Sequence, residues 1–557
     1  MIKIKKLLQY KFSPLIIILL LSLPACIPLL HSGFFHFSDE PHLINLQQMI
    51  TAFASGQILP RWAPDMSWGY GYPLFNYYYP LPYYIGSLFY LLNHSLISSL
   101  KLVFLLTIPL SGIFMYLWLK EHTSKLGAGV GALIYIYSPY RALDLYIRGA
   151  VGECLAFVFI PLIAYLIDKY ISGKSLKYLG ILAISLGLFF TSHNLAPLIF
   201  VPWLLIYALL RIYLNKDYRL LPYLLGSFIL GFLVSAFWTV PAFIERGLLQ
   251  YSTPFNYIDH FPFIKQLIYS PWRYGASLPG PYDDLSFQIG FINLFIIIYA
   301  IYLLLKGAVV QNKRYFLIFI LCTMFFVLFL MNIRSDFLWR IFPLSNYVQF
   351  PWRFLMVTTF LTTALTIIIN NKKLLIIMGI LSIVMNYNYF KPSGYFYPDD
   401  KYYLKRMLPY YEVNGQEINS DEYFNYSEDY LLLPKWVTVR PNSLPDSKFY
   451  STSAEDLDVK ENTKVNFTLE TNEATEIIFN TYYFPGWQVT VNNKKMDLNL
   501  LKPYGNFALR VEANSTLKYF WKETQLRLAM DLLSLAAFIF SLILVVGKDK
   551  WFYVFKR

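Results

Sequence analysis

Residues 15–47 read LIIILLLSLPACIPLLHSGFFHFSDEPHLINLQ. The first half is an apolar run long enough to start a membrane span. The second half puts Asp39, Glu40 and His42 within a few residues of the end of that run. A chain that delivers titratable groups to the mouth of its first hydrophobic helix invites two questions: what the remaining helices are, and what the charges meet.

Composition answers the first. Of 557 residues, 56% are hydrophobic and only 15% charged, and 19% are aromatic, with 47 Tyr and 47 Phe. Soluble domains average about 25% charged residues. Apolar stretches of about 20 residues recur, enough to cross a hydrocarbon core of roughly 30 Å. The sequence predicts about twelve transmembrane helices, centred near residues 22, 108, 131, 158, 184, 204, 232, 298, 323, 361, 380 and 537. The segment 83–93 is apolar but too short to cross, and reads as a juxtamembrane helix. An N-terminal signal peptide cut near LPACIP is the competing reading of the first run, and it would remove the helix that delivers the charged cluster.

The formal net charge is +13. Its distribution argues for topology over nucleic-acid binding. Lys and Arg collect in short segments: KIKK, KEHTSK, DKYISGKSLK, RIYLNKDYR, KGAVVQNKR, NNKK and the tail GKDKWFYVFKR. The positive-inside rule makes these cytoplasmic, with both termini. The alternate segments, 31–97, 244–288, 333–351 and 391–525, are long, rich in Pro, Tyr and Trp, and face outward. Cys26, Cys154 and Cys322 all sit in apolar runs and read as small buried hydrophobes.

Three parts follow: a transmembrane module over 1–390 with its first outer loop at 31–97, an outward β-rich domain over 391–525, and a last helix with a basic tail over 526–557. The middle part alternates in period two, as in KVNFTLE and GWQVTV, and VNNKK between apolar runs is a hairpin signal.

Within the first outer loop, Ser38 or Asp39 followed by Pro41 predicts a helix start, with a capping side chain and then proline where no N–H is needed. Leu43, Leu46, Ile50 and Phe53 form the apolar stripe of a short surface helix that ends at Gly56. A carboxylate at that end complements the helix dipole, and can act as general base or metal ligand. His42, three residues on, shares its face. Capping alone would equally account for Asp39.

More charges are expected on the same side. RWAPDMSWGYGYPLFNYYYPLPYY carries Arg61 and Asp65. SPYRALDLYIRGAVGE carries Arg141, Asp144, Arg148 and Glu153, the last just inside a span, where an ionisable group is costly and usually paired. TSHN ends a helix with His193, and two PWR triplets place Arg273 and Arg353 at the interface. A structural ion pair explains Arg148 and Glu153, and interfacial anchoring explains the PWR triplets, as readily as ligand binding does. Together these groups suit a lipid phosphate: guanidinium forks grip its oxygens, carboxylates take a proton or hold a cation, and aromatic faces stack on sugars.

The stretches DEPHLIN, GYGYPLFNYYYPLPYY, SPYRALDLYIRGAVGE, TSHN and VQFPWRF carry a resemblance to the GT-C superfamily of membrane glycosyltransferases. Within that range the chain most resembles a bacterial and archaeal membrane group labelled 6-pyruvoyl-tetrahydropterin synthase-related. YYFPGWQVTVNNKKMDL is similar to an element of the transferases that glycosylate lipoteichoic acid. The resemblance implies an all-α polytopic GT-C-like membrane protein with a small β-rich extracytoplasmic domain. It implies an inverting glycosyltransferase of the bacterial plasma membrane, with a polyprenyl-phosphate sugar donor and a glycan, lipid or protein acceptor. It maps the catalytic carboxylate onto Asp39, with Glu40 next. His42, Arg61, Asp65, Arg141, Arg148, Glu153, His193, Arg273 and Arg353 are the expected substrate contacts by location. A divalent cation, Mg2+ or Mn2+, with Asp39 as ligand is an expectation that the adjacent Asp-Glu pair, not a DxD, weakens. The pterin label implies no chemistry here, because seven scattered histidines do not make a three-histidine zinc site. Two other functions fit a chain of this kind: a flippase for lipid-linked sugars, and a non-catalytic protein that binds glycan through YYFPGW.

Overall fold

A computed structural model describes residues 13–251, 256–413, 416–420, 422–426, 432–453 and 457–547. The basic KIKK segment and residues 548–557 of the tail lie outside the described residues. The chain is mostly helical, with a β-rich region before the last helix.

Each of the twelve predicted span centres falls on a helix or a bent helix pair. Among the described residues, six helices are long and apolar enough to cross a membrane: Leu96–Lys120, Val151–Gly173, Ala196–Asn215, Gln311–Leu330, Pro351–Ile368 and Gln525–Val546. The pair Tyr218–Val234 and Ala236–Leu248 is bent by 73° at Ser235, a broken helix that the sequence did not announce. Pro14–Leu30, Lys125–Ile136, Leu176–Ser192 and Phe291–Leu305 are shorter apolar helices. Cys26 and Cys154 are buried, but Cys322 is exposed on the helix surface.

The first outer loop departs from its expected start. Its helix is His42–Ala54, with Pro41 at the N-cap position and no side-chain cap. The residues before it are held by a long-range backbone pairing. The Ser38 N–H donates to the Ile147 carbonyl at 3.0 Å and the Asp39 N–H to the Arg148 carbonyl at 2.9 Å. The Asp39 backbone is thus held outside the helix, and its carboxylate turns toward His42, Oδ2 at 3.9 Å from Nε2, so Asp39 is not its cap. Nor does the helix lie on the surface. Leu43 and Leu46 are buried, but so are Ile44, Asn45, Gln48 and Met49 on other faces. It is enclosed by the helices Leu81–Asn93, Leu96–Lys120 and Asp400–Met407.

The β-rich region is a sandwich of two antiparallel sheets. One has five strands in the order Lys494–Met496, Trp487–Val491, Ser515–Trp521, Asn466–Thr471, Asp458–Thr463; the other has four, Asn499–Leu500, Phe507–Val511, Thr475–Phe479, Phe449–Ser451. The alternation in KVNFTLE is visible as buried Phe467 and Leu469 between exposed or half-buried neighbours. Asn492 and Asn493 both take positive φ, 48° and 66°, between the paired strands Trp487–Val491 and Lys494–Met496. That is the two-residue hairpin favoured by the right-handed twist of its strands.

The sandwich core is continuous with the first outer loop. Trp62, Trp68, Tyr70 and Tyr77 of the loop are buried in one cluster with Phe484, Trp487, Phe507 and Tyr519. Trp62 lies 5.5 Å from the ring of Trp487 and 5.3 Å from that of Trp521, and the Tyr482 N–H donates to the Tyr70 carbonyl. Gly486, at φ 131°, has Trp521 where a Cβ would stand, 2.8 Å away. The YYFPGW motif is therefore packed inward against the loop. Tyr482, Phe484 and Trp487 are buried, which removes them from a glycan-binding surface and corrects that reading of the motif.

Charges close the same seam. Buried Arg527 donates through Nε and Nη2 to Glu245 Oε2, 3.0 Å each, and through Nη1 to the Pro485 carbonyl at 2.8 Å. Glu245 also accepts from Asn76 Nδ2 at 2.7 Å. Arg61 Nη2 reaches Asp531 Oδ1 at 2.8 Å. The last helix, the bent pair, the sandwich and the first loop thus meet at one buried knot. Arg527→Met would strand Glu245 without its cation, at a cost of about 3–5 kcal/mol. The expected outcome is a lower melting midpoint in detergent and faster limited proteolysis near residue 400; unchanged behaviour in both would show that the knot does not hold the seam.

Candidate functional site

The geometry around Asp39 starts from a break in the chain. Pro139–Leu143 is a short helix, Asp144–Arg148 a wider turn, and Gly149 ends it at φ 69° before Val151–Gly173 begins. Gly149 is required twice: its φ is left-handed, and a Cβ would stand 2.0 Å from the Phe37 ring. The close approach lets segment 37–39 lie on the Ile147 and Arg148 carbonyls.

The turn aims charged groups inward. Arg148 Nη1 lies 2.5 Å from Asp144 Oδ1 and 3.0 Å from Glu153 Oε1. Its guanidinium stands 4.9 Å over the Trp352 ring. The next residue, Arg353, brings Nε to 3.8 Å from Glu153 Oε1, and His193 Nε2 is 4.0 Å from the same oxygen. Tyr140 donates its hydroxyl to Glu153 Oε2 at 2.9 Å. Two guanidiniums, 205 residues apart in the chain, and one imidazole thus surround one fully buried carboxylate.

Asp39 approaches this group from the loop side. Its side chain is 41% exposed and Oδ2 lies 3.9 Å from His42 Nε2, whereas His42 is 1% exposed. His42 Nδ1 contacts the Tyr83 hydroxyl at 2.7 Å, and Asn45 Nδ2 donates to that hydroxyl at 3.2 Å. The two histidines flank one ring: Tyr79 is 6.4 Å from His42 and 5.2 Å from His193. His42 Nε2, Asp144 Oδ2, Glu153 Oε1 and Arg353 Nε are buried without a hydrogen-bond partner. Buried polar atoms are nearly always satisfied, so these four leave bonding capacity in the cluster for a polar guest.

Burial dominates the electrostatics. It holds His42 down to about 4 against the pull of Asp39, and His193 down to about 3 against that of Glu153. Both are neutral imidazoles near pH 7. His193 Nδ1 accepts the Leu195 and Ala196 amides, so its proton sits on Nε2, facing Glu153. Burial, then the nearby Glu153 charge, pushes the Asp144 carboxyl up.

The structure brings Asp39, His42, Arg148, Glu153, His193 and Arg353 together, and separates the other expected residues. Glu40 turns to Arg406 at 3.2 Å and His36 at 2.7 Å, fastening the helix Asp400–Met407. Arg61 is consumed by Asp531. Asp65 is held by Gln48 Nε2 and the Tyr410 hydroxyl, 2.9 Å each. Arg141 donates to Ser111 Oγ at 3.1 Å and packs over Phe157. Arg273 pairs with Asp284 at 2.9 Å, and both side chains are exposed. Tyr79, Tyr83, Tyr140, Asp144 and Trp352 complete the cluster. Of these, Asp144 was visible in the sequence as a charge in the SPYRALDLYIRGAVGE stretch; the Tyr83 partner of His42, 41 residues away, had no local signal. Among the described residues no three His, Cys, Asp or Glu side chains gather as metal ligands. Glu40 is turned away to Arg406 and His36, so of the adjacent acidic pair only Asp39 faces the cluster.

A family profile described as 6-pyruvoyl-tetrahydropterin synthase related domain, membrane protein, matches residues 75–393. An uncharacterized protein of Lactococcus lactis subsp. cremoris is 28% identical over 211 residues, 37% of this chain and 34% of that protein. The match thus spans about a third of the length of that relative. Among solved structures, the chain is similar to the arabinofuranosyltransferase AftD from Mycobacteria, at 15% identity and a TM-score of 0.43, over 70% of this chain and 28% of that one. It is also similar to the Archaeoglobus fulgidus oligosaccharyltransferase, at 13% identity and a TM-score of 0.34, over 73% and 59% of the two chains.

The two buried histidines give the site a pH signature. Unfolded, each takes a proton near pH 6.5; folded, they resist it to about 4 and 3. Their contribution is flat above pH 6.5, and stability falls as pH drops below it, by roughly 1.4 kcal/mol per unit for each histidine. The fall from this source ends near pH 4 for His42 and pH 3 for His193. Melting midpoints between pH 7 and 5 should therefore drop less steeply for His42→Gln and His193→Gln than for the native chain; parallel slopes would contradict the buried neutral state.

Proposed function

The chain belongs to the family of 6-pyruvoyl-tetrahydropterin synthase-related membrane proteins, and we propose that it is a membrane glycosyltransferase moving a sugar from a polyprenyl-phosphate-linked donor to an extracytoplasmic glycan, lipid or protein acceptor. The observation that carries this reading is the junction of the half-exposed Asp39 carboxyl with a buried, incompletely satisfied set of guanidiniums and imidazoles. Such a set offers a proton acceptor beside cationic anchors for a phosphate.

The chemistry is one displacement with inversion. The acceptor hydroxyl oxygen attacks the anomeric carbon, its proton passes to an Asp39 oxygen, and the carbon–oxygen bond to phosphate breaks. The phosphate leaves with the bonding pair. Arg353, with its side chain 16% exposed and its Nε uncommitted, is the guanidinium that meets it. Arg148 is held by two carboxylates, so its work is to fix Glu153 and, through its carbonyl, the Asp39 backbone. His42 orients the carboxyl from beneath. No step is routed through a metal.

Removing a general base typically costs a factor of about 10² to 10⁴. Asp39→Asn in membrane vesicles should lower transfer from a polyprenyl-phosphate sugar by that range, and Arg353→Gln should also lower it. Arg273→Gln, at an exposed pair away from the cluster, should leave it near the native rate. Product analysis by mass spectrometry with a labelled donor reads bond cleavage directly. Full transfer by Asp39→Asn, or movement of intact donor without cleavage, would sink the assignment.

A further inference from the structure

The helix Val151–Gly173 that carries Glu153 near its start carries a second buried carboxylate near its end. Asp168 lies fifteen residues on, about 22 Å along a helix rising 1.5 Å per residue, and is 2% exposed. Its Oδ2 is 2.7 Å from His122 Nε2, accepts the Tyr207 hydroxyl at 2.6 Å and accepts Trp118 Nε1 at 3.1 Å. Its Oδ1 faces Arg211 Nε at 2.7 Å. None of these groups belongs to the Asp39 cluster.

Beside them is a cavity of about 240 Å³, lined by His122, Arg211, Asn215, Asn312, Lys313 and Phe316 among others. No carboxylate is among its lining residues. Lys313 Nζ donates only to the Ile367 carbonyl, at 3.0 Å, and no carboxylate pairs with it among the described residues. Asp168 engages Arg211 through Nε, which leaves the Nη1 and Nη2 edge of the fork for the cavity. The lining comes from the basic segments 120–125, 211–219 and 306–314, at the end of the bundle away from Asp39. Leu209, Tyr213, Tyr315 and Ile318 are exposed on the two helices that flank it, so the opening adjoins a surface suited to acyl chains.

We propose that this cavity is a phosphate-binding site, in which Arg211 and Lys313 grip the oxygens of a phosphate-bearing anion, Asn215 and Asn312 supply amide donors, and Asp168 holds Arg211 in place as a positioning residue. A fork with a free edge and an unpaired ammonium without a carboxylate is the donor set that phosphate oxygens take. Basic pockets between helices at a membrane face bind anionic headgroups in this way. The site is independent of sugar transfer.

The test uses the full chain in detergent without any sugar donor. Dioctanoyl phosphatidylglycerol is titrated while the melting midpoint and, by native mass spectrometry, the number of bound molecules are read; glycerol 3-phosphate is the water-soluble probe. The native chain should bind one molecule with a raised midpoint, and Lys313→Gln should weaken binding at least tenfold. The paired variant Asp168→Asn with Arg211→Gln, which avoids stranding a buried charge, should do the same; where it does not fold, Lys313→Gln decides alone. Competition by glycerol 3-phosphate identifies a soluble phosphate as a ligand, and failure to compete identifies the lipid headgroup. Binding of neither probe by the native chain, or native affinity in a folded Lys313→Gln variant, overturns the proposal.

Discussion

Burial of Glu153 is the constraint on which the architecture of the Asp39 end depends. A carboxylate with no exposure near the start of a span is tolerable only if cations and donors replace its water. Arg148 must come within contact, and it can do so only because the chain breaks between Leu143 and Val151. That break leaves the Ile147 and Arg148 carbonyls facing outward, where they capture the Ser38 and Asp39 amides. One electrostatic requirement in the membrane module thus sets the backbone position of a loop residue more than a hundred positions earlier. The Asp39 side chain stays free because its backbone is held.

The β-rich region contributes to the same end by a different force. Its aromatic face does not wait for sugar but closes over Trp62, Trp68, Tyr70 and Tyr77. Large aromatic groups buried across a seam contribute both area and ring geometry. The loop that carries Asp39 is therefore gripped twice, by ring packing at residues 62–77 and by amide pairing at 38–39. A carboxylate on a loop so constrained is positioned almost as firmly as one on a helix.

Much of this was legible in the residues. The apolar runs located the helices, the period-two alternation located the sandwich, and Asn492-Asn493 located a hairpin. Asp144, Arg148 and Glu153 were recognisable because a charge inside an apolar segment demands a partner. What could not be read was pairing at a distance. Arg61 and Arg353 look alike in sequence, each beside a tryptophan in an outer segment. One is consumed by Asp531 on the last helix and the other meets Glu153. Nothing local distinguishes them, because the difference lies in which distant carboxylate the fold delivers. The helix start failed for the same reason: Ser38 and Asp39 are good caps, yet pairing with the carbonyls at 147–148 holds their backbone outside the helix.

The two carboxylates of helix Val151–Gly173 show how one rule can serve two ends differently. Both are buried, and both are surrounded by arginine, histidine and tyrosine. At Asp168 the oxygens face four donors, among them an indole and a phenol that cannot leave without stranding their own polar atoms. At Glu153 one oxygen faces three cationic or imidazole nitrogens at 3.0 to 4.0 Å and none of them as a formed hydrogen bond. Asp168 thus has all four of its partners within 3.1 Å, whereas Arg353 and His193 stand 3.8 and 4.0 Å from Glu153 and keep bonding capacity to spare. An arriving phosphate would complete the coordination of those groups at low reorganisation cost, because they are already desolvated and held in place. The longer reach from Arg353 and His193 to Glu153, set against the short contacts at Asp168, is the physical difference between the two ends of the helix.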